Sequence, residues 1–252
     1  MHRRRALKLL AGLALCPFCA PRSFAADAHW GYEGADGPSK WGDLDPANRA
    51  CSIGGEQSPI DIRDPIKAQL GALNITWDKN VETIVNNGHT IQVNIGDNSS
   101  VLSVGDGRNY RLLQFHFHHP SEHLIAGKSF PMEVHFVHAN PAGSLAVIGV
   151  MMTTGRANAA FNKIVSTMPD KEGPAVKADP AINPNGLLPG PRSYYRYSGS
   201  LTTPPCSETV DWLLLTEPLQ VADADVARFA KLYPMNARPA QKLNRRFVLR
   251  SA

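Results

Sequence analysis

The chain has 252 residues, 43% of them hydrophobic and 19% charged, which is enough apolar material for a sizeable core and excludes a disordered chain. That length fits one large β-rich domain. The formal charge of +4 points to a basic protein, but the excess of bases sits at one end.

The N-terminal stretch MHRRRALKLLAGLALCPFCAPRSFAA starts with Arg3, Arg4, Arg5 and Lys8. An apolar run from Leu9 to Leu15 follows, with small residues at Ser23 and Ala25. This pattern predicts a secretory signal over residues 1–25, cut after Ala25. RRRALK also resembles a twin-arginine export signal. The run is too short to span a bilayer, so no membrane anchor is expected and the chain should be periplasmic or secreted. Taking the signal's five bases from 26 leaves 21 against 22 acids, a formal charge of −1. Nucleic-acid binding thereby loses its compositional support. Of four cysteines, Cys51 and Cys206 remain. In an exported chain they are most simply one disulfide, closing a ring worth up to ~4–5 kcal/mol in the chain-entropy account.

From residue 26 to 252 no linker divides the chain. The segment HWGYEGADGPSKWGDLDPA predicts an irregular N-terminal wrap. Period-two alternation predicts strands at Thr90–Ile95, Val101–Val104, Tyr110–His118, Met132–Ala139, Leu145–Met152, Val210–Leu215 and Arg246–Leu249. Turn signals such as NNGH, GDNSS and GDGRN separate several of them. Helical spacing appears at Ala160, Phe161, Ile164, Val165 and Met168, and again at Val226, Phe229, Ala230 and Tyr233. Pro169 and Pro234 stop those two helices. The stretch Glu172–Arg192 is rich in glycine and proline and reads as a long loop. The expected fold is mainly β: a single domain around a large, mostly antiparallel twisted sheet with short peripheral helices.

The stretch QFHFHHPSEH, Gln114–His123, carries the chemistry. In a strand, residues two apart share a face. Gln114, His116 and His118 therefore line one face, and Leu113, Phe115 and Phe117 the other. MEVHFVH repeats the pattern with Glu133, His135 and Val137 on one face and Val134 and Phe136 opposite. If the strands are neighbours, His135 completes a three-histidine set with a fourth position open to water. Gln114 and Glu133 each precede a histidine by two residues and can hold its second ring nitrogen. Pro120 lacks an N–H and ends the first strand. His119 and His123 fall outside the face parity and read as polar loop or partly buried residues, as does His29. His138 faces away from His135. His116, His118 and Glu122 also fit half of a cupin metal motif. PMEVHF does not supply the other half, and on spacing alone that reading stays open.

Taken together, HWGYEG, QSPIDI, NNGHTIQV, QFHFHHPSEH, MEVHFVH, LAVIGV, SGSLTTPPCSETVDW and RPAQKLNRR resemble, in order and spacing, an α-class carbonic anhydrase of the exported bacterial kind. The resemblance implies that family's fold and the reversible, zinc-dependent hydration of carbon dioxide to bicarbonate and a proton. It implies one Zn2+ held by His116, His118 and His135, with Gln114 and Glu133 behind them. Thr202 would accept from the attacking hydroxide and orient it while its own O–H is directed to Glu122, and His89 would be the proton shuttle. Val137, Val147, Leu201 and Trp212 would form the apolar wall against which carbon dioxide rests. Cys51 and Cys206 match the family's disulfide, which braces the loop carrying Thr202. His119 stands where animal members usually have tryptophan, and Gln92 where asparagine is common. Some members have lost zinc ligands and serve only as binding modules, so a catalytically inactive module is the alternative from a second class.

Overall fold

The structure is a computed structural model that describes residues 29–79, 81–96 and 99–252. The expected export signal, residues 1–25, lies outside them. Among the described residues a thirteen-stranded sheet runs across the molecule. Its central strands are, in spatial order, Val81–Asn86, Ile91–Ile95, Asn109–His118, Met132–Ala139, Leu145–Thr154, Val210–Leu215 and Tyr194–Gly199. Pairing is antiparallel except where Leu145–Thr154 meets Val210–Leu215 and Leu219–Val221, and where the edge strand Ile66–Ala68 meets Leu249–Ser251. The sheet is therefore mixed, with antiparallel pairs in the majority.

Alternation along these strands sorts side chains into two apolar layers. One face sends Phe115, Phe117, Val134, Phe136, Ile148, Val150 and Leu213 into the larger core. The other sends Val137, Val147, Trp212 and Leu214 into a smaller one. The short helix Ala159–Thr167 caps the larger core with Ala160, Phe161, Ile164 and Val165. Its first turn is held by the Asn158 side chain, which accepts from Phe161 N–H at 2.9 Å. Asp223–Ala230 covers the same side with Val226 and Phe229. The N-terminal wrap clusters Trp30, Tyr32 and Trp41 over the Cys51–Cys206 bridge.

Three details differ from the sequence reading. A register irregularity between Leu112 and Gln114 shifts the face parity of the strand carrying His116 and His118. Leu112, not Leu113, joins Phe115 and Phe117 in the core, and Leu113 is only half-buried. The last strand is Leu249–Ser251 rather than Arg246–Leu249. Arg246 instead spends its guanidinium on the carbonyls of Gln57, Ser198, Lys242 and Leu243. The long loop over 172–192 contains the edge strand Val176–Lys177 and a short 3-10 turn at Pro184–Leu187.

Candidate metal centre and active site

The strands Asn109–His118 and Met132–Ala139 are adjacent and antiparallel, and their register sets His116 directly opposite His135. His118 lies two residues along the same face. The three ring centroids are 5.1, 5.5 and 4.6 Å apart, and one nitrogen from each ring lies within 4.8 Å of the others.

Behind each ring stands an acceptor for the second nitrogen. Gln114 Oε1 is 2.8 Å from His116 Nδ1, the Asn236 carbonyl 2.8 Å from His118 Nδ1, and Glu133 Oε1 2.7 Å from His135 Nε2. Those acceptors require an N–H at each of these positions, which leaves lone pairs on His116 Nε2, His118 Nε2 and His135 Nδ1. Burial pushes all three imidazoles below their ordinary pKa, His118 to about 4 and His116 well down with help from its two neighbours. Neutral rings are the ligand form. The Nε2 of His118 is buried with no hydrogen-bond partner, a lone pair that a cation would satisfy. Three neutral nitrogens suit zinc among the common ions.

Glu133 is saturated. Its Oε1 accepts from His135 and from His123 Nδ1 at 2.8 Å, and its Oε2 from the backbone N–H groups of Glu122 and His123 at 2.9 Å each. Burial alone would raise its pKa, but the two imidazoles and their hydrogen bonds hold it well below the usual carboxylate range. Space for this carboxylate comes from Gly149, which pairs with His135 across the next strand; a Cβ there would collide with Leu214 Cδ1 and crowd Glu133 Oε1 at 3.1 Å. His123 lies on the loop after the strand, as its parity indicated, but the expectation of a polar or only partly buried ring is corrected: the ring is fully buried, anchored by Glu133 and by the Tyr197 hydroxyl, 2.6 Å from Nε2. His138 faces the larger core, as its parity indicated.

Glu122 is buried beneath the histidines. Its Oε1 accepts from the Arg238 backbone N–H at 2.8 Å, and its Oε2 lies 3.5 Å from His118 Nε2 and 3.8 Å from His135 Nδ1. Burial raises its pKa to about 7, opposed by His135, by the Arg238 N–H and by the Thr202 hydroxyl. Oε2 has no hydrogen-bond partner, which leaves it an acceptor without a donor beside the Thr202 hydroxyl. Thr202 is itself buried, on a turn tied by Leu201 N–H to Ser207 O at 3.1 Å and by Cys206 N–H to Thr203 O at 2.9 Å. The disulfide fastens that turn to the helix Ala50–Ile53.

Val137, Val147 and Trp212 sit side by side on three neighbouring strands, in direct register, and Leu201 packs against them. The Trp212 ring is 4.8 Å from that of His135, so the apolar wall adjoins the histidine cluster. His89 occupies the turn before Ile91–Ile95, a strand whose Gln92 pairs with His116. Asn87 Oδ1 accepts from the backbone N–H of His89 and Thr90, and Gly88 supplies the positive φ of 83° that the turn needs. The His89 ring is half-buried and stacked on Trp30; burial lowers its pKa, His29 adds to this and Glu172 opposes it. His119 is half-buried on the loop, its Nδ1 3.0 Å from Pro234 O.

Four residues that anchor this site escaped the sequence reading: His123, Tyr197, Asn236 and Arg238. Arg238 is 2% exposed and donates to Gln57 Oε1, Ser58 O and Cys51 O at 2.7–3.0 Å.

The sheet presents three anchored imidazoles beside an apolar wall, a cluster that could hold one metal ion through three nitrogen donors. The family model for eukaryotic-type carbonic anhydrase matches residues 36–252, and the chain belongs to that family. It is 40% identical over 232 residues to a carbonic anhydrase of Pectobacterium carotovorum, covering 92% of this chain and 94% of that one. With a carbonic anhydrase of Neisseria gonorrhoeae it shares 40% over 250 residues, 99% of this chain and 97% of that one. An α-carbonic anhydrase of Thermovibrio ammonificans, solved with the inhibitor sulfanilamide, superposes with a TM-score of 0.86 at 44% identity, covering 89% of this chain and 100% of that one. Fold and family leave the cupin reading without support.

Proposed function

We propose that this protein hydrates carbon dioxide reversibly to bicarbonate and a proton, with one zinc ion held by His116 Nε2, His118 Nε2 and His135 Nδ1. The observation that carries the reading is the convergence of these three lone pairs, each ring fixed from behind. A zinc ion so held is a Lewis acid that brings the ionisation of water to about pH 7, a value known from carbonic anhydrases themselves.

The remaining work belongs to the chain. Val137, Val147, Leu201 and Trp212 offer carbon dioxide a surface without competing hydrogen bonds. Glu122 would accept a hydrogen bond from the Thr202 hydroxyl, and the positive charge of a bound cation would favour its ionised form. The Thr202 oxygen is then left to accept from the attacking water, which fixes the line of attack. Bicarbonate leaves when water replaces it, and His89 passes the surplus proton to buffer. With residues 1–25 read as an export signal, the site of action is the periplasm or the exterior. No helix among the described residues is long and apolar enough to cross a membrane.

Metal analysis and a stopped-flow indicator assay on the purified chain test the reading. The expected result is stoichiometric zinc and rapid hydration, both lost in His135→Ala. Hydration that survives without zinc, or zinc without hydration, overturns it.

A further inference from the structure

None of the roles above uses the side chain of Asn236. It is fully buried and lies in an irregular segment, outside every strand and helix. Its amide Nδ2 donates to the carbonyls of His89 and Phe117, both at 2.9 Å. Its Oδ1 accepts from His119 N–H at 2.7 Å, and its own backbone N–H donates to His119 O at 3.0 Å. Its carbonyl is the acceptor for His118 Nδ1. Every donor this residue owns, and both of its oxygens, are therefore engaged.

The partners fall into three groups: the turn carrying His89, the end of the strand carrying His116 and His118, and the loop that follows it. No ladder holds the backbone of Asn236, so the direction of its carbonyl depends on the amide and on the reciprocal pair with His119. The same segment grips the His89 turn once more, through the Tyr233 hydroxyl, which donates to Asn86 Oδ1 and reaches Thr90 O at 3.3 Å.

We propose that Asn236 is a positioning residue whose side-chain amide couples the seat of His89 to the orientation of the His118 ring. Only an amide offers two N–H donors and one acceptor in this layout. Aspartate would turn an oxygen toward two carbonyls. The inference deepens the hydration reading and rests on it for the His89 arm; the His118 arm needs only a bound metal.

The test uses the zinc-loaded exported chain with Asn236→Asp and Asn236→Ser, and Tyr233→Phe as comparator. Two quantities are read: the rate of zinc transfer to a chelator such as dipicolinate, and turnover in weak buffer alongside kcat/KM. In both Asn236 variants zinc release should quicken on the order of 10-fold. Their weak-buffer turnover should fall more than kcat/KM and recover with added imidazole. Tyr233→Phe should change the buffer dependence and leave zinc release as in the parent. Folded Asn236 variants that match the parent in both readouts overturn the proposal. So does failure of both to fold, which would make the residue structural only, and so does a Tyr233→Phe variant that also sheds zinc. If the zinc-loaded parent does not hydrate carbon dioxide, the hydration reading falls by itself, and zinc release still decides the His118 arm.

Discussion

Trp30 and His89 lie face to face, their ring centroids 3.7 Å apart and their planes 7° apart. The stack buries one side of the imidazole proposed to exchange protons with solvent. Burial disfavours the charged ring, so the pKa lies below the ordinary value. As the proposed shuttle, His89 would have to be unprotonated to accept in the hydration direction, so a lowered pKa would keep it competent at lower pH. Trp30→Ala should re-expose the ring and raise its pKa, moving the acid limb of turnover up by up to about one pH unit. A pH profile in weakly buffering solution checks this; an unmoved limb would show that the stack does not set the titration.

Glu133 joins the ring of His135 to that of His123 and takes two backbone N–H groups besides. Glu133→Ala strands all four donors. Zinc affinity should weaken by about 10–100-fold, measured by chelator competition. Glu133→Gln keeps an acceptor oxygen and should lose less. Equal affinities for the parent and the alanine variant would remove this role.

His138 is fully buried, bonded through Nδ1 to Ala146 O at 3.2 Å, and burial lowers its pKa to about 4. Below an ordinary imidazole pKa near 6.5, the unfolded chain binds a proton that the folded ring refuses. The folded state therefore weakens as pH falls from about 6.5 toward 4, by up to about 3 kcal/mol from this residue. His138→Asn, which keeps a donor and cannot titrate, should flatten that part of the stability curve in urea titrations of the zinc-loaded protein.

The strands that carry the three histidines were legible because their pattern is local. His116 and His118 alternate with Phe115 and Phe117, and His135 with Val134 and Phe136, and both pairs of faces are as the period predicts. The parity failed at Leu113, where an extra residue enters one strand, and no residue type announces such a bulge. His123 was misplaced because the proline signal ends the strand correctly but says nothing of where the next ring goes. Its burial is set by Glu133 and Tyr197, 10 and 74 residues away. Asn236 and Arg238 lie in YPMNARP, which has no period to read, and their partners are 116–187 residues distant. Contacts of that separation are fixed by the assembled sheet rather than by local sequence.

Cys51 and Cys206 are 155 residues apart and both buried. The double change Cys51→Ser with Cys206→Ser should cost about 3–5 kcal/mol, seen as a lower urea midpoint. Because the bridge fastens the Thr202 turn, kcat/KM should also fall while zinc content stays at the parent level. A variant with unchanged stability and rate would show that the turn is held by its hydrogen bonds alone.

His116 faces His135 across a single ladder, with Phe117 against Val134 on the reverse side. Sliding one strand by a single residue would swap imidazole for phenyl at the cleft and push rings with polar nitrogens into the oily layer. If the proposed ion binds, its retention would act as a proofreading signal for strand alignment: a misaligned chain would have no way to keep the ion, and a chain that kept it would already have been sorted.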